Sequence, residues 1–460
     1  MNPEAQHLVV LGAAGNLTSR LLLPGLGRLL AGDPSREVEL WGVGREPMEA
    51  AAWGARVSSA LVRGGASEDL AIDVASKSRF ISLDVTDLED LRGLIHQLPD
   101  RNRTVIYFAL PPHITEEVCR KLRDLAAEED LGNLRLALEK PFGENLAEAR
   151  NLNAVLAEFR REDQVFRVDH FLGDSQVLNL LALRFANRLF EPIWSSAHVE
   201  SIYIVADETI ALEGRAGYYD GAGALIDMLQ SHLLLVLAII TMEEPARLEP
   251  RVVHDLMAHV LSVTQVKDFS PTASSRRARY TAGTVGGREI PDYAQETGVD
   301  PARETETLAE LDLEIASRRW SGVPIRLRSG KALAKDRRQI TLTLQPVAFA
   351  PHGMGGYPPA NALTIDLNPD EITVRIVTNK GGSKFRLGTE DLNAALGERT
   401  LAPYSEVLTG ILDGNHLISV RGDIAEECWR ICEPVLDAWR RSEVPLEEYE
   451  AGSAGPPSWS

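Results

Sequence analysis

The run His7-Leu8-Val9-Val10-Leu11-Gly12-Ala13-Ala14-Gly15-Asn16-Leu17 frames the N-terminal part of the chain. Residues 7–11 form a short apolar run of the kind a buried parallel strand shows. Residues 12–16 break it with small side chains, and 17–30 then carry helical spacing. Residues 38–43 read as a second strand. The alternation continues through strand 79–83, helix 87–97, strand 105–110, helix 113–128 and strand 134–138. This βα pattern predicts a Rossmann-like, doubly wound parallel sheet, the α/β class.

Small residues between a strand and a helix let backbone amides approach a pyrophosphate, whose charge the helix N-terminus favours. The spacing here, GxxGxL, is not the usual GxGxxG, and alone it describes any tight strand–helix turn. Arg45, just past the second strand, adds to it. That position reads the adenosine ribose, and an arginine there suits the 2′-phosphate of NADP. Glu46 beside it keeps NAD open as an alternative, and a solvated loop arginine is the bland reading.

Beyond residue 170 the pattern changes. Helical spacing over 172–190 leads to a strand at 199–206 and helices at 222–242 and 249–267. Residues 268–306, rich in Ser, Gly, Pro, Arg and Asp, read as an exposed loop. Strand-like runs follow at 308–318, 323–328, 338–348, 361–367 and 371–378, then helices at 404–413 and 423–440. Runs of strands predict a large antiparallel sheet with helices on one face. The expected division is a dinucleotide-binding domain at 1–169 and an α+β domain at 170–460, in line with a length of 460 residues.

The formal net charge of −19 disfavours unspecific binding to nucleic acid or an anionic membrane. Cys119, Cys428 and Cys432 are too few and too odd for a disulfide framework, which fits a reducing cytoplasm. Cys428 and Cys432 share helical spacing but have no further ligands nearby, so no metal is expected. The N-terminal segment lacks the basic region of a signal peptide. The longest apolar stretch, 225–242, contains Asp227, Gln230, Ser231 and His232, which suits a buried helix rather than a membrane span.

Those embedded polar groups need a reason. A core histidine with a backbone partner is the commoner case, but Asp227, Gln230 and His232 on one buried helix suit a pocket wall. Asp169-His170, next to an apolar run, is either a structural pair or a catalytic one. Glu139-Lys140-Pro141-Phe142-Gly143 follows a parallel strand, where ligands bind, although Pro-Phe-Gly is also good turn chemistry. Arg328-Ser329-Gly330-Lys331 is an anion grip or a hairpin end.

Taken in order, these motifs resemble the glucose-6-phosphate dehydrogenase family. The resemblance spans almost the whole chain: LGAAGNLTSRLLLP (11–24), YFALPP (107–112), LEKPFG (138–143), RVDHFLG (167–173), NLLALRFAN (179–187), EGRAGYYDGAGALIDMLQSHLL (213–234), RWSGVPIRLRSGKAL (319–333) and YEAGSAGP (449–456). It implies a Rossmann-like coenzyme domain followed by an α+β domain, and a homodimer or homotetramer built through the large sheet. It implies hydride transfer from a sugar C1 to NADP, giving a lactone. His232 then matches the general base, and Asp169 the carboxylate that orients it. Lys140 matches a lysine touching both sugar and coenzyme. Glu208 and Asp227 match carboxylates that hold sugar hydroxyls, and Lys331 a substrate-side lysine. Gly12, Ala14, Gly15, Asn16, Leu17 and Arg45 match the coenzyme contacts.

The departures cluster at the sugar phosphate. The family reads Asp-His-Tyr-Leu-Gly-Lys, where the histidine, tyrosine and lysine grip that group. Here His170 is kept, but Phe171 and Asp174 replace the tyrosine and lysine. One unit-charge pair at about 4 Å and effective dielectric ~20 is worth roughly 4 kcal/mol, so reversing a charge against a dianion costs about three decades in affinity. Asn16 and Leu21 also stand where the family has an aspartate and a lysine. The expected substrate is an unphosphorylated or amino hexose, with Asp174 meeting a 6-hydroxyl or an amine. The alternatives are glucose 6-phosphate itself, gripped by Arg337 or another cation, and a non-catalytic NADPH-binding regulator. The intact Asp169 and His232 argue against the last.

Overall fold

The computed structural model describes residues 6–355, 358–368, 370–380, 386–396 and 403–459. Two compact units emerge. One comprises Met1–Leu178, Pro245–Leu256 and Thr400–Glu426; the other comprises Asn179–Glu244, Met257–Arg399 and Glu427–Ser460.

The first unit is built on β1 (Gln6–Leu11), β2 (Val38–Gly44), β3 (Arg79–Ser82), β4 (Thr104–Phe108), β5 (Arg135–Glu139) and β6 (Val165–Val168). They pair in parallel in the order β6-β5-β4-β1-β2-β3. The order reverses between β1 and β4, which opens a crevice at their carboxyl ends, the usual ligand position in such sheets. The strands are near-continuous apolar runs because helices cover both faces. Leu8, Val10, Val105, Tyr107, Ala137 and Phe166 pack with helix residues Leu26, Leu30, Val57 and Leu408 into one core. Three helices that the apolar pattern leaves unread, Ala50–Arg63, Glu68–Lys77 and Leu146–Ala157, complete this layer.

The second unit is built on β7 (Val199–Asp207), β8 (Thr264–Val266), β9 (Ser275–Thr281), the hairpin β10 (Gly283–Val285) and β11 (Arg288–Ile290), then β12 (Leu308–Ile315), β13 (Ile325–Gly330), β14 (Arg337–Leu344), β15 (Ala362–Asn368), β16 (Asp370–Asn379) and β17 (Leu387–Ala395). A two-residue strand, β18 (Ser419–Val420), belongs to the first unit and pairs antiparallel with β6, whereas β19 (Leu446–Glu450) closes the large sheet. The large sheet runs β17-β16-β15-β14-β7-β13-β12-β9-β19, with β8 on β12. Most pairings are antiparallel, as the run of strands predicts, but β7–β13 and β9–β19 are parallel.

The segment 268–306 departs from the exposed-loop expectation. It holds β9, whose residues are buried or half-buried throughout, and Tyr280 and Tyr293 are fully buried in a satellite core with Tyr219 and Tyr449. Its polar residues misled because they satisfy turns and ion pairs around buried tyrosines. The apolar helix Ala216–Thr241 is long enough to cross a membrane by composition, and it lies mostly buried within this unit.

Candidate active site

In the first unit the chemistry-bearing residues gather at the carboxyl ends of the parallel strands. The turn after β1 is forced by geometry. Gly12 has φ +82°, and a Cβ there would stand 2.2 Å from the Ala109 carbonyl oxygen after β4. Only glycine accepts both the left-handed backbone and the close approach. Gly12 and Ala13 amides are used on the Val43 carbonyl at 2.9 and 3.0 Å. Ala14, Gly15 and Asn16 are exposed, and helical backbone begins at Asn16. An exposed small-residue turn feeding a helix N-terminus fits a dinucleotide pyrophosphate. Arg45 is exposed, one residue past the end of β2. Arg56 secures the turn from the next helix, donating to the Ala14 carbonyl at 2.9 Å.

Glu139 ends β5, and Lys140 follows with a cis bond to Pro141. Asp169 follows β6 and is fully buried. Its Oδ1 accepts the Phe171 amide at 3.0 Å, which caps the 3₁₀ turn His170–Gly173. That turn changes the reading of His170 and Asp174. They are four apart, but His170 lies in the 3₁₀ turn while Asp174 is extended, at φ −70° and ψ 128°. One α-helical face therefore does not carry both. Asp174 directly precedes the helix Ser175–Phe185, a position where aspartate is a favoured cap in its own right. Phe171 is buried.

In the second unit, His232 and Asp227 lie on a π-helical stretch, Leu225–Leu233. Such winding is rare and concentrates at functional sites. It matters here because α-helical winding, ~100° per residue, sets residues five apart about 140° away from each other. Bonding from i to i+5 stacks them instead, so Asp227 and His232 move towards one side. Gly223, at φ +66°, breaks the preceding helix, and a Cβ there would stand 2.3 Å from the Glu306 carboxylate. That buried carboxylate accepts the Leu225 amide at 2.9 Å and so caps the new helix. Loss of hydration pushes Glu306 up to about 7, against the lowering by its backbone donors. The sequence signal for Glu306 is faint: one acid in a polar segment.

Glu208 and Lys331 come together through strand pairing. β7 and β13 run parallel with Asp207 opposite Gly330, so the next residue of each chain lies side by side. Lys331 Nζ donates to Glu208 Oε2 at 2.7 Å and lies 5.2 Å from the Tyr219 ring centroid. Arg338 Nη2 takes Glu208 Oε1 at 2.9 Å. Burial alone would raise the Glu208 carboxyl, but the two cations outweigh it and hold the group below its ordinary value. Tyr218 Oη is 3.4 Å from Asp227 Oδ1, and burial followed by that carboxylate raises the phenol.

Arg337 and Arg338 part company here. In the antiparallel register Arg337 faces Asp207 and Arg338 faces Ala206, so consecutive side chains go to opposite faces of the sheet. Arg337 donates to Asp207 at 2.6 Å and lines a cavity of about 630 Å³ with Tyr203, Arg328 and Trp459. Arg338 joins Glu208 and Lys331 on the other face.

A parallel sheet with a phosphate-fitting turn at its switch point, followed by a large mixed sheet bearing clustered carboxylates, lysine and a buried histidine, defines a dinucleotide-dependent oxidoreductase. The chain belongs to the glucose-6-phosphate dehydrogenase family and is a sugar dehydrogenase by that membership. Residues 9–179 match the family's NAD binding domain and 181–460 its C-terminal domain. The glucose-6-phosphate 1-dehydrogenases of Gluconobacter oxydans and Dickeya dadantii are each 36% identical, over 98% of this chain and 95% of theirs. A glucose-6-phosphate dehydrogenase solved in complex with glucose 6-phosphate superposes with a TM-score of 0.87 at 27% identity, covering 98% of this chain and 96% of that one. The Mycobacterium avium enzyme gives 0.84 at 30% identity, covering 98% and 95%. The coenzyme is accordingly a nicotinamide dinucleotide.

Proposed function

We propose that this protein oxidises a hexose at C1 with NADP, and that the hexose lacks a 6-phosphate. The nicotinamide ring supplies the hydride acceptor when bound. His232 takes the proton from the C1 hydroxyl, a task suited to an imidazole whose pKa lies near working pH. Asp169 orients the ring and stabilises its cation. Glu208, Asp227 and Lys331 hold the sugar hydroxyls, His170 and Asp174 meet its C6 end, and Lys140 lies between sugar and coenzyme. Gly12, Ala14, Gly15, Asn16 and Leu17 receive the coenzyme, and Arg45 favours NADP over NAD through its 2′-phosphate. The resemblance also supports a homodimer or homotetramer, which sedimentation would establish.

The observation that carries the substrate reading is the chemistry at 171 and 174. A buried phenyl ring and a carboxylate stand at the positions to which the family resemblance assigns a phosphate-gripping tyrosine and lysine. Arg337 is a poor substitute, since its side chain is engaged by Asp207. A second reading has one observation in its favour: Arg338 shares a face with Lys331, and together they outnumber the charge of Glu208. On that reading glucose 6-phosphate is the substrate after all. Nicotinamide reduction with glucose 6-phosphate, glucose and glucosamine, each with NADP and NAD, separates the two. Turnover of the unphosphorylated sugars, shifted towards glucose 6-phosphate by Asp174→Lys, is the expected result. Efficient turnover of glucose 6-phosphate by the unaltered protein, abolished by Arg338→Ala, would establish the second reading.

A further inference from the structure

Glu139 belongs to none of the roles above, yet it is engaged by two phenol hydroxyls at the end of β5. Its Oε1 accepts the hydroxyl of Tyr107, from neighbouring β4, and the hydroxyl of Tyr404 at 3.2 Å. Tyr107 is fully buried, and Tyr404 is buried in the first turn of the helix Pro403–Asp413. The Tyr404 ring in turn stacks on His170, with centroids 5.7 Å apart and planes 17° from parallel.

Close backbone approach fixes this arrangement from two sides. A Cβ on Gly25 would stand 2.7 Å from the Tyr404 Cβ, and one on Gly173 would stand 2.7 Å from the Pro403 carbonyl oxygen. Tyr404 therefore has little room to move except by rotating its ring, and the hydroxyl bond to Glu139 limits that rotation.

We propose that Glu139 is a positioning residue: it holds the Tyr404 ring, and through the stacked ring it sets the His170 imidazole at the sugar's C6 end. The groups facing Glu139 are Tyr107 from β4, Tyr404 from the helix, Lys140 on its own strand end and Asp169 at the end of β6. Burial pushes the Glu139 carboxyl up to about 7; the two hydroxyls and Lys140 pull it down, and the Asp169 charge raises it. Hydrogen bonds to an ionised acceptor are the stronger ones. The Tyr404 tether therefore tightens as pH rises through neutrality, and His170 is held best above it.

Part of this rests on the substrate reading, since that reading places the sugar at His170; the ring geometry does not. The test has an arm for each. In the free protein, the His170 ring resonances, assigned with His170→Asn, are followed against pH by NMR. In the unaltered protein they should show an inflection near pH 7 that reports Glu139. That inflection should vanish in Glu139→Gln and in Tyr404→Phe, which keeps the ring and loses only the hydroxyl. In turnover, both variants should raise the sugar KM about tenfold, leave kcat within about twofold and flatten the pH dependence of KM. The double variant should be no worse than either single one. Unchanged His170 shifts in a folded Tyr404→Phe protein would overturn the proposal even if Glu139→Gln fails to fold. Altered shifts without turnover of any sugar would instead sink the substrate reading alone.

Discussion

The Lys331 ammonium lies 2.7 Å from the Glu208 carboxylate, each the first residue beyond the paired ends of two parallel strands. Parallel pairing brings together groups more than a hundred residues apart and shields the ion pair, since both side chains are largely buried. On the proposed role of Glu208 as an acceptor for sugar hydroxyls, Glu208→Gln should raise the sugar KM by ~10–100-fold, and it leaves two cations uncompensated. Glu208 titrates below its unfolded value, so its contribution to stability is present above about pH 4.5 and lost as pH falls through the folded value. Thermal melts between pH 3 and 6 should show a shallower acid limb in the variant.

Glu306 predicts the opposite sign. Its folded value, about 7, is above the ordinary 4.5, so the folded state binds the proton more tightly. Stability from this group is full below about pH 4.5 and declines as pH rises through 7, by up to about 3 kcal/mol. Glu306→Gln keeps an acceptor for the Leu225 amide and should flatten that decline, measured by denaturant unfolding at pH 5 and pH 8.

His232→Asn should lower kcat by a factor of ~10²–10⁴ while leaving NADPH binding, followed by its fluorescence, unchanged. Retention of full turnover would remove His232 from the role of base.

If Arg45 binds the 2′-phosphate as proposed, Arg45→Ala should raise the KM for NADP by ~10–100-fold and change that for NAD less than twofold. Steady-state kinetics with both coenzymes decides it; equal losses would point to a general binding role.

Gly12→Ala should cost ~1–3 kcal/mol or more and abolish coenzyme binding. The new Cβ meets the Ala109 carbonyl at 2.2 Å in a left-handed backbone, so neither the turn nor its neighbour can yield cheaply. Calorimetry with and without NADP would show a lowered Tm and no coenzyme-induced shift.

Much of the coenzyme half was legible because its signals are local. Periodicity marks β1, β2 and β4, and small residues mark the turn at 12–16. The helix over 50–63 escaped because a helix with Trp53, Val57 and Leu61 on one face still reads as mixed when small alanines fill the rest. β9 escaped because arginines at 276, 277 and 279 hide a strand in which Ser275, Ala278 and Tyr280 are buried. Glu139 was visible only as a charge at a strand end. Its two phenols come from β4 and from a helix near residue 404, and no spacing rule links them.

The sequence by itself determined the parallel coenzyme sheet, the residue types at each strand end and the family, since these depend on short-range pattern and on motifs in order. The tertiary structure alone decided that segments 245–256 and 400–426 join the coenzyme unit, that π winding rotates Asp227 towards His232, and that Arg337 and Arg338 face opposite ways. The reason is physical. Which strand pairs with which, and in what register, is settled by packing between residues far apart in the chain, and a shift of one residue would exchange the two faces.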